Sequence, residues 1–567
     1  MIIMSTDSSH SSNQSISQLQ GNKINSYNTN SNLEEKHMNE DIKYTLEYHE
    51  ETKHSEFSIR SSSHYLDWDN KPKTFKFYSK IPSMALPVDF PTPDKNVVTM
   101  MDTVQVSRSV SANTDIDIKL LSSLLFFSSG ITRQIKFPHG NYLMRAAPAT
   151  GALYPIEVYI VSTNINGLRA GIYHFCPGQF TLTNLREGDY RLLLAEAAGG
   201  NDQIKNSPFT IILTSIAWRN AWKYQARSYR HWFWDSGVIA ANLIATAMSF
   251  GLDTKLILGF VDKVVNDMLC LDEGKEASVV LAPIGIGCSQ EKPKKMEYPS
   301  RFVPDIIPLS KNKEMEYPQI WELHNASSLN SSEEVRKWSD SVPMIEFQEP
   351  EKDAIMESKQ IDPRPIISQS LSNVILLRGS TRKFSRQPIA FEQLSNILYS
   401  LTRRIDSDFV DKKSMIDIYF IANEVANLQS GAYFFNRKDN SINLLNSNVH
   451  RNTSGYLCLE QPLFSDASAV FYMMTNLKLI LETLGNRGYR LCQFESGIIA
   501  GRTYLSAYSQ GIGASGSTFY DDAVTEFFSP HAKDKETMIA VGIGISEYKS
   551  KPGKILAGKL SREDLLS

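Results

Sequence analysis

One stretch occurs twice in this chain at a fixed spacing. Tyr229-Arg230, followed by Asp235-Ser236-Gly237-Val238-Ile239-Ala240, reappears 260 positions later as Tyr489-Arg490, followed by Glu495-Ser496-Gly497-Ile498-Ile499-Ala500. The same shift carries Gly171-Ile172-Tyr173 onto Gly431-Ala432-Tyr433 and Gly251 onto Gly511. It also carries Ile156, Val158 and Tyr159 onto Ile416, Ile418 and Tyr419. A constant register over so long a span points to one domain duplicated, its copies paired about a pseudo-twofold axis. Function is then to be sought where the copies differ.

The bulk properties exclude several classes. The 567 residues suffice for two to four domains, and 42% hydrophobic with 21% charged residues is ordinary for a soluble globular chain. A net charge of −3 without a basic stripe gives no footprint for nucleic acid. The five cysteines form no C-x-x-C pair and no cluster with histidine at metal spacing, so neither a disulfide framework nor a metal site is expected, and a reducing cytoplasm fits. No cationic N-terminal region leads into an apolar run, and no apolar stretch reaches bilayer length, so no membrane role is expected.

The organisation reads as follows. Residues 1–40 are rich in Ser, Asn and Gln and should be a disordered tail. Residues 41–99 regain aromatics (Tyr65, Trp68, Phe75, Phe77, Tyr78) and form a lead-in. The first copy spans 100–287, with a helix over Leu120–Phe127, buried strands at 157–161 and 209–213, a small-residue helix over Trp234–Phe250, and a closing strand at 279–284. Residues 288–370 read as a connector on the surface, with one helix over Ser331–Ser339 capped by Ser331 or Ser332. The second copy spans 371–548, and 549–567 is a tail. Helices and strands mixed in this order predict an α+β sandwich.

Four motifs carry candidate chemistry. Arg378-Gly379-Ser380-Thr381-Arg382 has two forked guanidinium groups around a hydroxyl, a set that can clamp a phosphate, although a solvated basic turn gives the same string. The first copy has Arg108-Ser109-Val110-Ser111 there and lacks the second arginine. Pro148-Ala149-Thr150-Gly151 is a stiff, small-residue loop that lets backbone approach a flat ligand, and its counterpart is Asp408-Phe409-Val410-Asp411. Lys223-Tyr224 lies in an aromatic patch that can lower a lysine's pKa and make it a base, although core packing with a solvent-reaching lysine reads equally well. Its counterpart is Thr483-Leu484. Gly511-Ile512-Gly513-Ala514-Ser515-Gly516 follows a helix, the wrong order for a dinucleotide fold, and is read as a glycine turn able to meet a cofactor edge. The lone histidines His174, His231 and His531 are read as structural.

Together these residues resemble the nitroreductase-like flavoproteins, in particular the SagB-type dehydrogenases, in tandem form. The first copy carries the resemblance in Tyr48 to His54, Leu66 to Asn70, Ala147 to Pro155 and Trp222 to Tyr224. The second carries it in Arg378 to Phe384, Gly485 to Arg490 and Phe519 to Asp522. The resemblance implies two nitroreductase-like α/β/α domains in an intramolecular pseudo-dimer that binds FMN at the interface. It implies oxidation of thiazoline or oxazoline rings on a peptide, with Lys223 and Tyr224 catalytic, and a possible cyclodehydratase complex. Arg378, Ser380, Arg382, Gly511, Gly513, Ala514 and Gly516 of the second copy and Pro148, Ala149, Thr150 and Gly151 of the first would build one complete FMN site, leaving the mirror site degenerate. Ala149 stands where the family usually has serine. A broad NAD(P)H-dependent nitroreductase and a non-catalytic scaffold, with or without flavin, are the alternatives.

Overall fold

The computed structural model describes residues 38–97, 116–137, 140–289, 291–293, 295–345, 355–364, 369–410, 414–562 and 565. The expected tail, up to residue 37, and Arg108 to Ser111 lie outside them; Met38–Glu40 form a short 3-10 helix. Among the described residues no helix is long and apolar enough to cross a membrane.

Each half is built on one antiparallel sheet. In the first, the order is β1 (Ser83–Ala85), β6 (Thr181–Glu187), β5 (Gly171–Cys176), β4 (Ile156–Ser162), β7 (Phe209–Ile216) and β8 (Glu276–Ile284). A separate hairpin, β2 (Ile131–Phe137) with β3 (Gly140–Arg145), precedes it. In the second the order is β14 (Gly513–Ser517), β15 (Glu536–Gly544), β13 (Ala469–Thr475), β10 (Asp417–Ala422), β11 (Gly431–Asn436), β12 (Ser441–Asn446) and β9 (Glu357–Gln360). The central strands β4, β7 and β13 are buried at every residue, so they read as continuous β-branched and aromatic runs rather than as an alternation.

The repeated string forms the two longest helices, Ser228–Ser249 and Arg487–Ser509. They cross at equivalent glycines. A Cβ on Gly237 would lie 2.6 Å from the Phe494 carbonyl oxygen, and one on Gly497 would lie 2.6 Å from that of Trp234. The reciprocity places the pseudo-twofold axis at this crossing. Replacing Gly237 by valine forces the backbones apart and will cost about 1–3 kcal/mol or more. Thermal unfolding measures it, and unchanged stability would contradict the crossing. The first of these helices begins six residues before the expected Trp234, because Tyr229, Arg230 and Phe233 are buried against the other half and its flanking helices.

Two buried clamps flank the axis. Arg227 and Arg230 of the first half hold Asp521 of the second at 3.0 and 2.8 Å. Arg487 and Arg490 of the second hold Asp262 of the first at 2.7 and 2.5 Å. This explains why Tyr-Arg recurs: each arginine reaches across the interface.

The connector differs from expectation. Its helix Pro318–Ala326 is not a surface strap, since Ile320, Leu323, His324 and Ala326 are buried. It repeats the helix Lys43–Glu51 of the lead-in at an offset of 275 rather than 260. Arg230 Nη2 donates to His49 O at 2.9 Å, and Arg490 Nη2 donates to His324 O at 2.6 Å. Thr52 Oγ1 accepts from Arg230, and Ser327 Oγ accepts from Arg490. His54 N donates to Asp521, and Leu329 N donates to Asp262. The edge strands β1 and β9 continue the same relation, so lead-in and connector are the opening segments of the two copies. The helix Ser332–Ser341 follows, capped by Ser331 Oγ accepting from Glu334 N at 3.2 Å.

Candidate functional site

The first half's share of the site starts at the end of β3. The loop after Arg145 is fastened to the long helix: Thr150 donates to Asp235 through its backbone N at 2.9 Å and its hydroxyl at 2.7 Å. Gly151 has φ 63°, in the left-handed region that favours glycine, and a Cβ there would lie 2.7 Å from the Tyr224 hydroxyl. The loop and the tyrosine are therefore in contact. Lys223, next along the helix Ala217–Tyr224, sits over the Tyr224 ring at 5.1 Å. Burial lowers the Lys223 pKa. Burial, with Asp235 nearby, raises that of Tyr224. Asp235 itself is pushed up to about 7 by burial, against the opposing bonds from Thr150. A lysine with lowered pKa beside a neutral tyrosine can take up a proton and pass it on.

The second half brings Arg378, Ser380 and Arg382 to the same place. Arg378 is buried and crosses the interface, donating to Arg145 O at 2.8 Å and Ala146 O at 2.9 Å. Ser380 Oγ lies 3.3 Å from the Tyr504 hydroxyl. The Arg382 side chain is exposed, while its backbone N donates to the Tyr548 hydroxyl at 3.0 Å. The glycine run corrects the sequence reading. Gly511 (φ 76°) ends the long helix, but Gly513, Ala514 and Gly516 lie in strand β14 on the edge of β15, not in a turn. Thr381 N donates to Ala514 O at 2.9 Å, and Gly513 is packed so closely on Thr381 and Ser546 that any side chain would collide with them. Gly516 N donates to Tyr504 OH at 2.7 Å.

The mirror position is closed differently. Segment 406–408 of the second half pairs with the first half's backbone: Leu256 N donates to Asp406 O at 2.9 Å, and Asp408 N donates to Leu256 O at 3.0 Å. The Asp408 carboxylate accepts from Leu258 N at 2.9 Å and Gly259 N at 2.8 Å. Phe409 beside it is fully buried. Backbone pairing and a carboxylate thus fill the place opposite Pro148. At the composite site a single side chain, Tyr504, holds the corresponding amide.

The donor set of the composite site suits FMN in kind: a guanidinium, a hydroxyl and a strand-edge amide. The small cavity beside Pro148, Ala149, Arg145 and Asp235, about 10 Å³ or roughly one water, is lined by the first half alone. Gly151 and Gly516 are exposed, and the Tyr504 hydroxyl engages Gly516 N and Ser380, groups that an FMN phosphate would use. Tyr504→Ala should tighten FMN binding at least about tenfold, because the tyrosine hydroxyl no longer competes for Gly516 N. Flavin fluorescence titration measures this, and weaker binding would make Tyr504 a contact for the cofactor rather than a plug.

Sequence reasoning missed Asp235 and Tyr504. The signal for the first was present: an acid kept in both copies (Asp235, Glu495) at the same register of the repeated string. Glu495 likewise accepts from a backbone amide, that of Met415, at 3.0 Å. Tyr504 had only its register, opposite Ile244. The histidines pack as expected: His174 on Glu157 at 2.6 Å, His231 edge-on to Tyr224, and His531 on the Tyr419 hydroxyl.

Residues 113–286 match the model of the Nitroreductase family. Over the whole molecule, the fold matches the crystal structure of a protein from Anabaena variabilis classed as a nitroreductase, with TM-score 0.70, 24% identity, and coverage of 89% of this chain and 99% of that one. The family model thus matches the first half, and the nitroreductase fold spans both. Among curated proteins it is 26% identical over 195 residues to one classed as a nitroreductase in Methanocaldococcus jannaschii, covering 34% of this chain and 93% of that protein. It is 29% identical to the trifolitoxin-processing protein TfxB of Rhizobium leguminosarum (29% of this chain, 46% of that protein) and 28% identical to the microcin B17-processing protein McbC of Escherichia coli (26% and 56%). The match spans about half the length of these two processing proteins.

Proposed function

We propose that the chain is an oxidoreductase that converts a thiazoline or oxazoline ring of a peptide to the azole, using FMN at the composite site alone. One observation carries this reading: Tyr224, next to Lys223, packs on the Pro148–Gly151 loop at the position where a tyrosine side chain meets Gly516 N, whereas the mirror is filled by backbone pairing and Asp408. The likeness to two processing proteins supports a peptide substrate and partners such as a cyclodehydratase. When bound, FMN supplies two-electron acceptor chemistry. Arg378, Ser380 and Gly516 N would hold it after Tyr504 turns away. Lys223, its ammonium destabilised by burial, takes the proton from the ring carbon. Tyr224 backs Lys223, and Asp235 fixes the loop through Thr150. The test is mass spectrometry of a thiazoline peptide incubated with the FMN-supplemented protein. Loss of two hydrogens per ring is expected. No loss, with rapid NAD(P)H-driven reduction of nitroaromatics, would assign a broad nitroreductase instead.

The engagement of Gly516 N and Ser380 by Tyr504 favours one second reading, a flavin-free partner within a peptide-modifying complex. A protein that stays colourless after incubation with FMN, yet binds the peptide, would establish it.

A further inference from the structure

We propose that Lys71, with the rings of Trp68 and Tyr142, forms a docking strip for an acidic, aromatic-bearing segment of a peptide. The proposal rests on the peptide-modifying reading and adds the chemistry of the segment that is held. Lys71 sits over Trp68 at 5.9 Å and over Tyr142 at 5.4 Å. Trp68 meets Trp222 edge-on at 5.3 Å, and Trp222 adjoins Lys223, which covers Tyr224 on the Pro148–Gly151 loop. Trp68 therefore touches the helix that carries Lys223 and Tyr224. Trp68 is 55% exposed and Tyr142 39%, which leaves aromatic faces open to a ligand.

Charge decides what fits. Lys71 is part-buried, and among the described residues no carboxylate lies within ion-pair distance of it. Burial lowers its pKa, with no carboxylate acting against it. The nearest acid in sequence with a bonded role, Asp67, is turned to cap Asn70 N at 3.3 Å. A half-desolvated ammonium group without counter-charge gains from an incoming carboxylate, and the flanking rings take apolar or aromatic side chains beside the acid. A partner of alternating acidic and aromatic residues satisfies both.

The test uses the full-length protein and two short synthetic peptides, one of alternating glutamate and phenylalanine, the other with glutamine for glutamate. Calorimetry and tryptophan fluorescence read binding, independent of turnover and of flavin. The glutamate peptide should bind at least about tenfold more tightly than the glutamine peptide, with affinity falling as salt rises. Lys71→Glu should remove most of that difference, and Trp68→Ala should weaken both peptides. Where Lys71→Glu alters the melting temperature, Lys71→Met serves in its place. Equal affinity for the two peptides, no change on Lys71→Glu, or tighter binding of a single-stranded oligonucleotide would overturn the proposal. Failure of ring oxidation with docking intact would instead strike only the functional reading.

Discussion

Replacing Asp521 by asparagine will lower folding stability by about 3–5 kcal/mol, because it leaves Arg227 and Arg230 buried without counter-charge. Both guanidinium groups are almost wholly inaccessible and converge on the one carboxylate. Asp262→Asn should do the same to Arg487 and Arg490, since the two clamps are images of one another. A variant that replaces a whole clamp with apolar residues should lose far less, because the cost lies in the uncompensated charge. The clamps also set an acid limit. Burial alone would raise the pKa of Asp521, but Arg227 and Arg230 outweigh it and hold it far below the usual carboxylate range. Arg487 and Arg490 hold Asp262 down at about 2 in the same way. A depressed folded pKa gives stability that is complete above the unfolded value, about 3.9, and is lost as pH falls through the folded one. Denaturant unfolding from pH 6 to about pH 2 should therefore show a steep acid loss in the parent protein and a shallower one in Asp521→Asn.

Lys223→Ala should lower ring oxidation by about 10²–10⁴-fold, the usual worth of a positioned base. FMN content should not change, because Lys223 is not among the groups proposed to hold FMN. Lys223→Arg keeps a long basic side chain but cannot deprotonate at accessible pH. The peptide's KM should then stay near the parent value while kcat falls as in the alanine variant. Burial lowers the Lys223 pKa, and a base works deprotonated, so kcat/KM should rise with pH and level off below the normal lysine range. An unchanged kcat in Lys223→Arg would exclude the lysine as base.

Much of the fold was legible because duplication leaves a register. The shift of 260 located both long helices and the glycines at their crossing before any coordinate was known. It did not expose the opening segments, whose offset is 275, nor the clamps' acids, whose offset is 259. Lys223-Tyr224 stood out as a charge among aromatics. The glycine run misled: small residues suggest a turn, yet the free edge of β15 made pairing available, and Thr381 needed close approach to the strand. Tyr504 gave no local signal, because a tyrosine on a buried helix reads as packing until its hydroxyl is seen on Gly516 N.

The asymmetry of the two interface positions is the central claim, and flavin stoichiometry tests it most directly. Protein saturated with FMN, freed of excess and measured by absorbance against protein concentration should carry one FMN per chain. Two per chain would show that Asp408 does not close the mirror position, and none at saturation would remove the flavin from the account altogether.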